Sequence, residues 1–448
     1  MFPEVGEAGN RPLSRMDAAL LGYQRKNPAA PVTVAYLLRA EGRCDLAAAR
    51  TAVAERARRF PALTHRVRHS AGSAAWPVWT ADPRLDAAAR VREHRVHGGA
   101  EGRRAFVERW CRAVLPPDAP PWEICLLRGG DPESTWVLFR ASHVWLDGTA
   151  LHLALTMLFG DGDATAGAPP RWSRAGRVSP RAKAAAFGRL LGWMPPTGGL
   201  DALARPSSGR GRTCWATTDV ERLRALGRAY GGTVNDVFLV ALSGALDGWS
   251  RPSAGRRPVR ALMPVGVRRP DERAALGNFV VGARVELPLG VASPWRRFEA
   301  VRRQTSRYRG DADVAAGERW WFEKIPTRLG PASVASGMDP GRVTVTTSNL
   351  GTLPGPLALA GHPFTEALPV PVLLPGQRLF VILGGLSPTA SLGVTADANV
   401  PGAAALPRRW LAELAALEHA AGLPTIPEQT AARVYEAADL AAGPASLS

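Results

Sequence analysis

The stretch Ser142-His143-Val144-Trp145-Leu146-Asp147-Gly148 constrains this chain more than any other. It is entered from an apolar, β-branched and aromatic run at 136–141, which reads as a buried strand, and left by a helical pattern over 149–159. A histidine at the end of such a strand, on the turn into a helix, is placed to face a cleft. An imidazole that is unprotonated near neutral pH accepts a proton from an attacking hydroxyl or amine, which is general-base work. Asp147 has two readings: a cap on the following helix, or half of a buried ion pair that fixes the turn. Gly148 permits a backbone conformation or close approach that a side chain forbids. The H-x-x-x-D-G spacing is short, however, and a satisfied core or surface histidine is the competing reading until the rest of the chain is considered.

With 448 residues the chain has room for two or three domains, and 46% hydrophobic against 21% charged residues is an ordinary globular balance. No apolar run is long enough for a membrane span, and residues 1–15 lack an apolar signal core, so a cytoplasmic protein is expected. Cys44, Cys111, Cys125 and Cys214 form no C-x-x-C pair, which predicts buried reduced thiols; the eight histidines show no metal-ligand spacing, which predicts no metal. The net charge of +17 attracts polyanions: nucleic acid, anionic lipid, the phosphate of a coenzyme A thioester, or an acidic carrier protein. No helix-turn-helix, zinc-finger or RNP-type signature is present, so no nucleic-acid partner is expected.

In order, the chain reads as an opening helix at 13–24 with Asp17 near its start, a strand at 31–39, and a helix capped by Asp45 and ended by Pro61. Further strands are predicted around 60–67, 76–79 and 91–96, then a helix at 104–115 and strands from 122 and at 135–141. Residues 160–212 are rich in Gly, Pro, Ser and Arg and read as a crossover. Within it, 180–194 has the pattern of a basic amphipathic helix, docked on its own protein or lying on a membrane surface. The second half offers a strand at 213–217, a helix to Tyr230, and a deeply buried helix capped by Thr233. Strands follow at 259–265, 276–288, 342–348, 379–383 and 391–396, with a helix from Ser293-Pro294 and a last helix at 407–421. Phe279, Val281, Ala283, Val285 and Leu287 are expected to share one face of the strand at 276–288. This order predicts an α/β fold.

Seven segments in sequence then resemble the bacterial wax ester synthase/diacylglycerol acyltransferase family, relatives of peptide-synthetase condensation domains and chloramphenicol acetyltransferase. They are PPWE (120–123), SHVWLDG (142–148), TVNDVFLVALSGAL (233–246), RALMPVGVR (260–268), LGNFV (276–280), VTTSNLGTLPGP (345–356) and LGVTAD (392–397). The resemblance runs from residue 13 to the last helix. It implies a V-shaped pair of chloramphenicol-acetyltransferase-like domains with a tunnel at their interface, an N-terminal subdomain at 1–165, a linker at 166–212 and a C-terminal subdomain at 213–448.

It further implies direct acyl transfer from a thioester, either acyl-CoA or an acyl carrier protein, to a hydroxyl or amine of a small molecule or lipid, with no separate cofactor. The second histidine of the family motif HHxxxDG is His143 here, which the resemblance makes the general base. Asp147 becomes mainly structural, paired with a distant arginine. Two departures stand out: Ser142 replaces the first histidine, and PPWE replaces a usual P-L-W. They favour a specialised-metabolite acyltransferase over a wax ester or triacylglycerol synthase, with an inactive binding protein as a third reading. Ser348 and Asn349, at a strand end before a Gly/Pro loop, are candidates to contact an oxyanion or substrate, the competing reading being that they only form the turn. Gln377 and His152 are weaker contact candidates; for His152 a core position with a backbone partner is preferred. Asn235 and Asp236 are expected to cap or brace, and Asn278 to shape the start of a strand. Peripheral membrane contact is retained as a further expectation.

Overall fold

The computed structural model describes residues 11–29, 31–68, 76–82, 84–116, 119–129, 133–161, 178–253, 257–308, 312–424 and 434–435. Part of the expected crossover, 166–177, therefore lies outside the described residues. The strand that carries the motif, Ser134–Ser142, sits inside a six-stranded sheet in the order Ala358–Leu359, His362–Pro369, Thr33–Glu41, Ser134–Ser142, Trp122–Arg128, Val91–Arg95. It runs antiparallel to Thr33–Glu41, from Thr33 opposite Ser142 to Glu41 opposite Ser134. Every residue from Thr135 to Ser142 is buried, which is why the segment reads as a continuous apolar run rather than an alternating one.

One charged side chain in that strand, Arg140, is buried against Glu123, 2.6 Å away, and Glu123 also pairs with buried Arg90 at 3.0 Å. The glutamate in PPWE thus has a local cause. It neutralises two guanidinium groups that the sheet would otherwise bury without a counter-charge.

The second sheet has seven strands, ordered Val280–Glu286, Arg260–Gly266, Val345–Asn349, Leu379–Leu386, Thr389–Asp397, Gly211–Asp219, Val434–Tyr435. Val345–Asn349 is parallel to both of its neighbours. One face packs on Val234–Asp247, Pro294–Thr305 and Leu406–Ala420 in a single apolar core. Val234–Asp247 is buried at every position from Asp236 to Leu246, as its pattern predicts, and begins with a capping box between Thr233 and Asp236.

The two sheets do not follow the two halves of the chain. His362–Pro369, from the second half, pairs with Thr33–Glu41 of the first, Ala367 lying opposite Leu38 and Pro369 opposite Tyr36. The sequence reading missed this strand because a register shift between Phe364 and Glu366 breaks its alternation. Other boundaries also move. The helix expected at 104–115 is Gly99–Arg112, along which Arg104 pairs with both Glu101 and Glu108. Helices Ala312–Lys324 and Gly330–Gly337 were not anticipated. The strand expected at 276–288 is confined to Val280–Glu286. Residues before it are drawn out of the sheet toward the motif, and Phe279 lies beneath the Arg268 guanidinium, 4.4 Å from its ring centre, instead of sharing the core face.

The helix foreseen in the crossover is present as Pro180–Leu191. It docks on Ala312–Lys324: a Cβ on Gly317 would stand 3.0 Å from the Ala186 Cβ, and the Trp321 indole donates to the Lys183 carbonyl at 2.9 Å. All four cysteines are buried thiols, burial raising Cys111 and Cys125 to about 12. Among the described residues no helix is long and apolar enough to cross a membrane.

Candidate active site

His143 follows the last residue of the motif strand, its backbone N–H donating to the Val32 carbonyl at 2.8 Å. Its ring is half-buried, and Nδ1 lies 2.9 Å from Oδ1 of Asn278, 135 residues away in sequence. Among the described residues no side chain or carbonyl engages Nε2, so that nitrogen is the one available for chemistry.

Asn278 therefore does more than start a strand. Its Nδ2 donates to Oδ1 of Asp17 at 2.9 Å, to the His143 carbonyl at 2.7 Å and to the Val144 carbonyl at 3.1 Å. Its backbone N–H donates to the same Asp17 oxygen at 3.1 Å. Asp17 is fully buried near the start of helix Arg15–Lys26, where it also forms a capping box with Ser14. The sequence signal of Asp17 is fully explained by that local box, so nothing along the chain marked its second, long-range task.

Asp147 performs both of its expected tasks at once. Its Oδ1 accepts from the Ala150 N–H at 2.8 Å, capping helix Gly148–Phe159, and from the Arg268 guanidinium at 2.6 Å. Its Oδ2 accepts from the Phe279 N–H at 2.9 Å. Arg268, which no sequence signal singled out, also donates to the carbonyls of Glu272, Ala275 and Gly277. Two buried carboxylates of the first half, Asp17 and Asp147, thus grip adjacent residues of the second, Asn278 and Phe279. Gly148 is required by close approach: a Cβ there would stand 2.5 Å from the Leu350 Cδ2.

That contact packs Leu350, the residue after Val345–Asn349, on the first turn of the motif helix, and Ser348 and Asn349 are the half-buried last two residues of that strand. Asn349 uses Oδ1 to accept from the Gly351 N–H at 3.0 Å and Nδ2 to reach Asn235 at 3.4 Å, so its amide serves the turn. Ser142 accepts from the Val144 N–H at 3.2 Å, and its hydroxyl stands 3.5 Å from Gln24. Asn235 also donates toward the Met263 sulfur at 3.2 Å, and Asp236 accepts from the Thr305 hydroxyl at 2.5 Å, both bracing contacts. Gln377 is not brought to the motif by its amide, which is committed to the Thr346 hydroxyl at 2.8 Å and the Leu374 N–H at 3.1 Å.

His152, on the motif helix, has the Tyr36 hydroxyl at 3.2 Å as its partner rather than a backbone carbonyl. Desolvation pushes its imidazole down to about 4, against about 6.5 in an unfolded chain. The sign follows: below pH 6.5 the unfolded state takes up a proton that the folded state refuses. Stability held above pH 6.5 is therefore lost progressively as pH falls toward about 4, a loss on the order of 2–3 kcal/mol. His152→Asn removes the titration, so the thermal midpoint of the variant should fall less than that of wild type between pH 7 and 4.5. Parallel losses in the two proteins would assign the acid sensitivity elsewhere.

The chain matches the wax ester synthase/diacylglycerol acyltransferase catalytic domain over residues 13–205 and the corresponding C-terminal domain over residues 276–417. A Mycobacterium tuberculosis protein named as a diacylglycerol O-acyltransferase is 27% identical over 301 residues, 56% of this chain and 62% of that protein. The O-acyltransferase WSD of Acinetobacter baylyi is 28% identical over 212 residues, 46% of this chain and 44% of that protein. The matches thus span less than two thirds of these relatives. In three dimensions the wax ester synthase/diacylglycerol acyltransferase from Marinobacter aquaeolei VT8 superposes with a TM-score of 0.60 at 21% identity, covering 92% of this chain and all of that one. The first condensation domain of the calcium-dependent antibiotic synthetase gives 0.63 at 16% identity, covering 95% of this chain and 99% of that one.

Proposed function

Because this chain belongs to the wax ester synthase/diacylglycerol acyltransferase family, we propose that it transfers an acyl group from a thioester directly to a hydroxyl acceptor, with His143 as general base. The observation that carries this reading is the His143 ring, half-exposed at a strand end, with Nδ1 tied to Asn278 and Nε2 unengaged among the described residues. Nε2 takes the acceptor proton as the oxygen attacks the thioester carbonyl. The tetrahedral intermediate then collapses, the C–S bond breaks, and the thiolate recovers the proton from Nε2. The step uses no cofactor beyond the thioester itself.

Diacylglycerol is the first acceptor to try, because it appears in the names of curated relatives, with long-chain alcohols beside it. Ser142, which stands where the family motif has its first histidine, keeps a specialised hydroxyl or amine acceptor as the second reading. The test is thiol release from acyl-CoA and acyl-carrier thioesters, each offered long-chain alcohols, diacylglycerol and small polar alcohols and amines. Turnover with lipid alcohols selects the storage-lipid reading, and turnover confined to polar acceptors selects the specialised one. Absence of turnover throughout, with the protein folded, would favour a binding protein that retains the fold.

A lipid acceptor has to be reached from a bilayer or droplet, and one surface suits that task. Phe187, Leu191 and Met194 are 45%, 54% and 55% exposed along one side of the Pro180–Leu191 helix and its end. Arg181 is exposed on the same helix, and Lys183 lies over the Trp320 ring at 4.3 Å. Exposed apolar side chains on a helix that also carries cations fit an anionic membrane surface. Sedimentation with phosphatidylglycerol vesicles should exceed that with phosphatidylcholine vesicles, and Phe187→Ser with Leu191→Ser should weaken it at least about tenfold. Equal sedimentation of wild type and variant would remove this surface from consideration.

A further inference from the structure

We infer that Asn278, held by Asp17, is a positioning residue that fixes the tautomer of His143, placing the proton on Nδ1 and the lone pair on Nε2. The inference rests on the general-base reading above and adds what makes that base competent. A side-chain amide can be turned either way, so its orientation has to be argued from its neighbours. Here they decide it. One end of the Asn278 amide faces Asp17 Oδ1 at 2.9 Å and the carbonyls of His143 and Val144 at 2.7 and 3.1 Å. All three are acceptors without a proton to give, so that end is the NH2 group. Turned over, the amide oxygen would face three oxygens in a buried site and forfeit all three of these bonds, its NH2 keeping only a bond to a His143 Nδ1 without a proton.

The end that faces His143 Nδ1 at 2.9 Å is therefore the amide oxygen. An amide oxygen only accepts, so a hydrogen bond at that distance requires Nδ1 to carry the proton. In the neutral ring the lone pair is then on Nε2, the nitrogen that no described residue engages. A free histidine side chain prefers the opposite tautomer, with its proton on Nε2, which would present an N–H to the acceptor hydroxyl and no base. Asn278 reverses that preference. Asp17 holds Asn278 through two N–H groups, the backbone at 3.1 Å and the side chain at 2.9 Å, so the amide cannot rotate without breaking a buried charge-assisted bond. As the ring becomes imidazolium during transfer, its Nδ1–H keeps the same acceptor, and the Asp17 carboxylate lies one residue behind it.

The arrangement also gives the contact between the two halves of the chain a chemical consequence. Asp17 and His143 belong to the first half and Asn278 to the second, so the tautomer is correct only when the halves are in register.

The first test needs no substitution. The protein carries eight histidines, and 15N-histidine labelling, with His143→Ala used to assign the signal, reads which ring nitrogen bears the proton in the neutral form. A protonated Nδ1 with a bare Nε2 is expected; a protonated Nε2 would overturn the inference. The second test is Asn278→Leu in the thiol-release assay. Loss of a tautomer-fixing partner costs up to about 10⁴-fold in a serine-protease triad; with an amide oxygen as the partner, a fall in kcat of about 10²-fold is expected, with KM little changed. Unchanged kcat in the folded variant would overturn the inference, whereas a variant that does not fold leaves the wild-type tautomer measurement to decide. The outcomes separate from those of the general-base reading: a protonated Nδ1 together with full activity in His143→Ala would retain the tautomer and reject the base.

Discussion

His143→Ala is expected to lower thiol release by about 10³-fold or more while leaving the fold in place. Positioned proton transfer contributes roughly 10²–10⁴-fold, and the motif's one imidazole has a nitrogen that no described residue engages. The structural penalty is small by comparison. The lost ring is half-buried, and among the described residues its side-chain bond is the one to Asn278, worth about 1 kcal/mol. The Asn278 NH2 keeps Asp17 and both backbone carbonyls, so the grip between the halves survives the substitution. Circular dichroism and a thermal midpoint near that of wild type would establish that the variant is folded, and the donor and acceptor panel would then be run on both proteins. Equal rates in a folded variant would sink the assignment of His143 as base. A residual rate tens-fold above the uncatalysed reaction would be expected even without the base, since holding donor and acceptor together accelerates the reaction by itself.

The sequence revealed what local periodicity and short motifs can carry. The motif strand announces itself because Thr135 to Ser142 are all buried, and the motif helix because Asp147 caps it. Asp45 and Thr233 cap the helices expected of them, and Ser293 caps the helix expected from Ser293-Pro294. What stayed hidden depends on partners far apart in the chain. Asp17 lies 261 residues from Asn278, and Arg268 lies 121 from Asp147. For Asp147 the sequence implies a distant arginine without saying which; Asp17 and Asn278 each have a sufficient local explanation, a capping box and a strand start, so no anomaly in the sequence points past them. The strand His362–Pro369 was missed for a related reason: its pairing with Thr33–Glu41 reaches across the halves, and its bulge erases the alternation that would have betrayed it. His152 illustrates the reverse. Its helical position was legible, but its partner, the Tyr36 hydroxyl on a neighbouring strand, was not.

Asp147→Ala is expected to be the most destabilising single change at this site, by about 3–5 kcal/mol. The carboxylate is 1% exposed and serves three elements at once: the Arg268 guanidinium, the Ala150 N–H and the Phe279 N–H. Removing it leaves a largely buried guanidinium without its carboxylate, which accounts for most of the penalty. The motif helix also loses its cap, a loss of about 1 kcal/mol. Asp147→Asn should be milder, because an amide oxygen can retain one of the N–H donors. A double-mutant cycle with Arg268→Ala isolates the pair: when both partners go, the orphaned charge goes too, and the double variant should be less destabilised than the sum of the singles. The consequence for activity follows from the geometry. Asp147 fixes Phe279, the neighbour of Asn278, so its loss loosens the residue that holds His143 Nδ1 without touching the reacting atoms. Denaturant titration and turnover should therefore fall together, and conditions that restore folding should restore part of the rate. Full stability with turnover abolished would instead place the Asp147 carboxylate in the chemistry itself, and the division of labour between His143 and Asp147 would have to be redrawn.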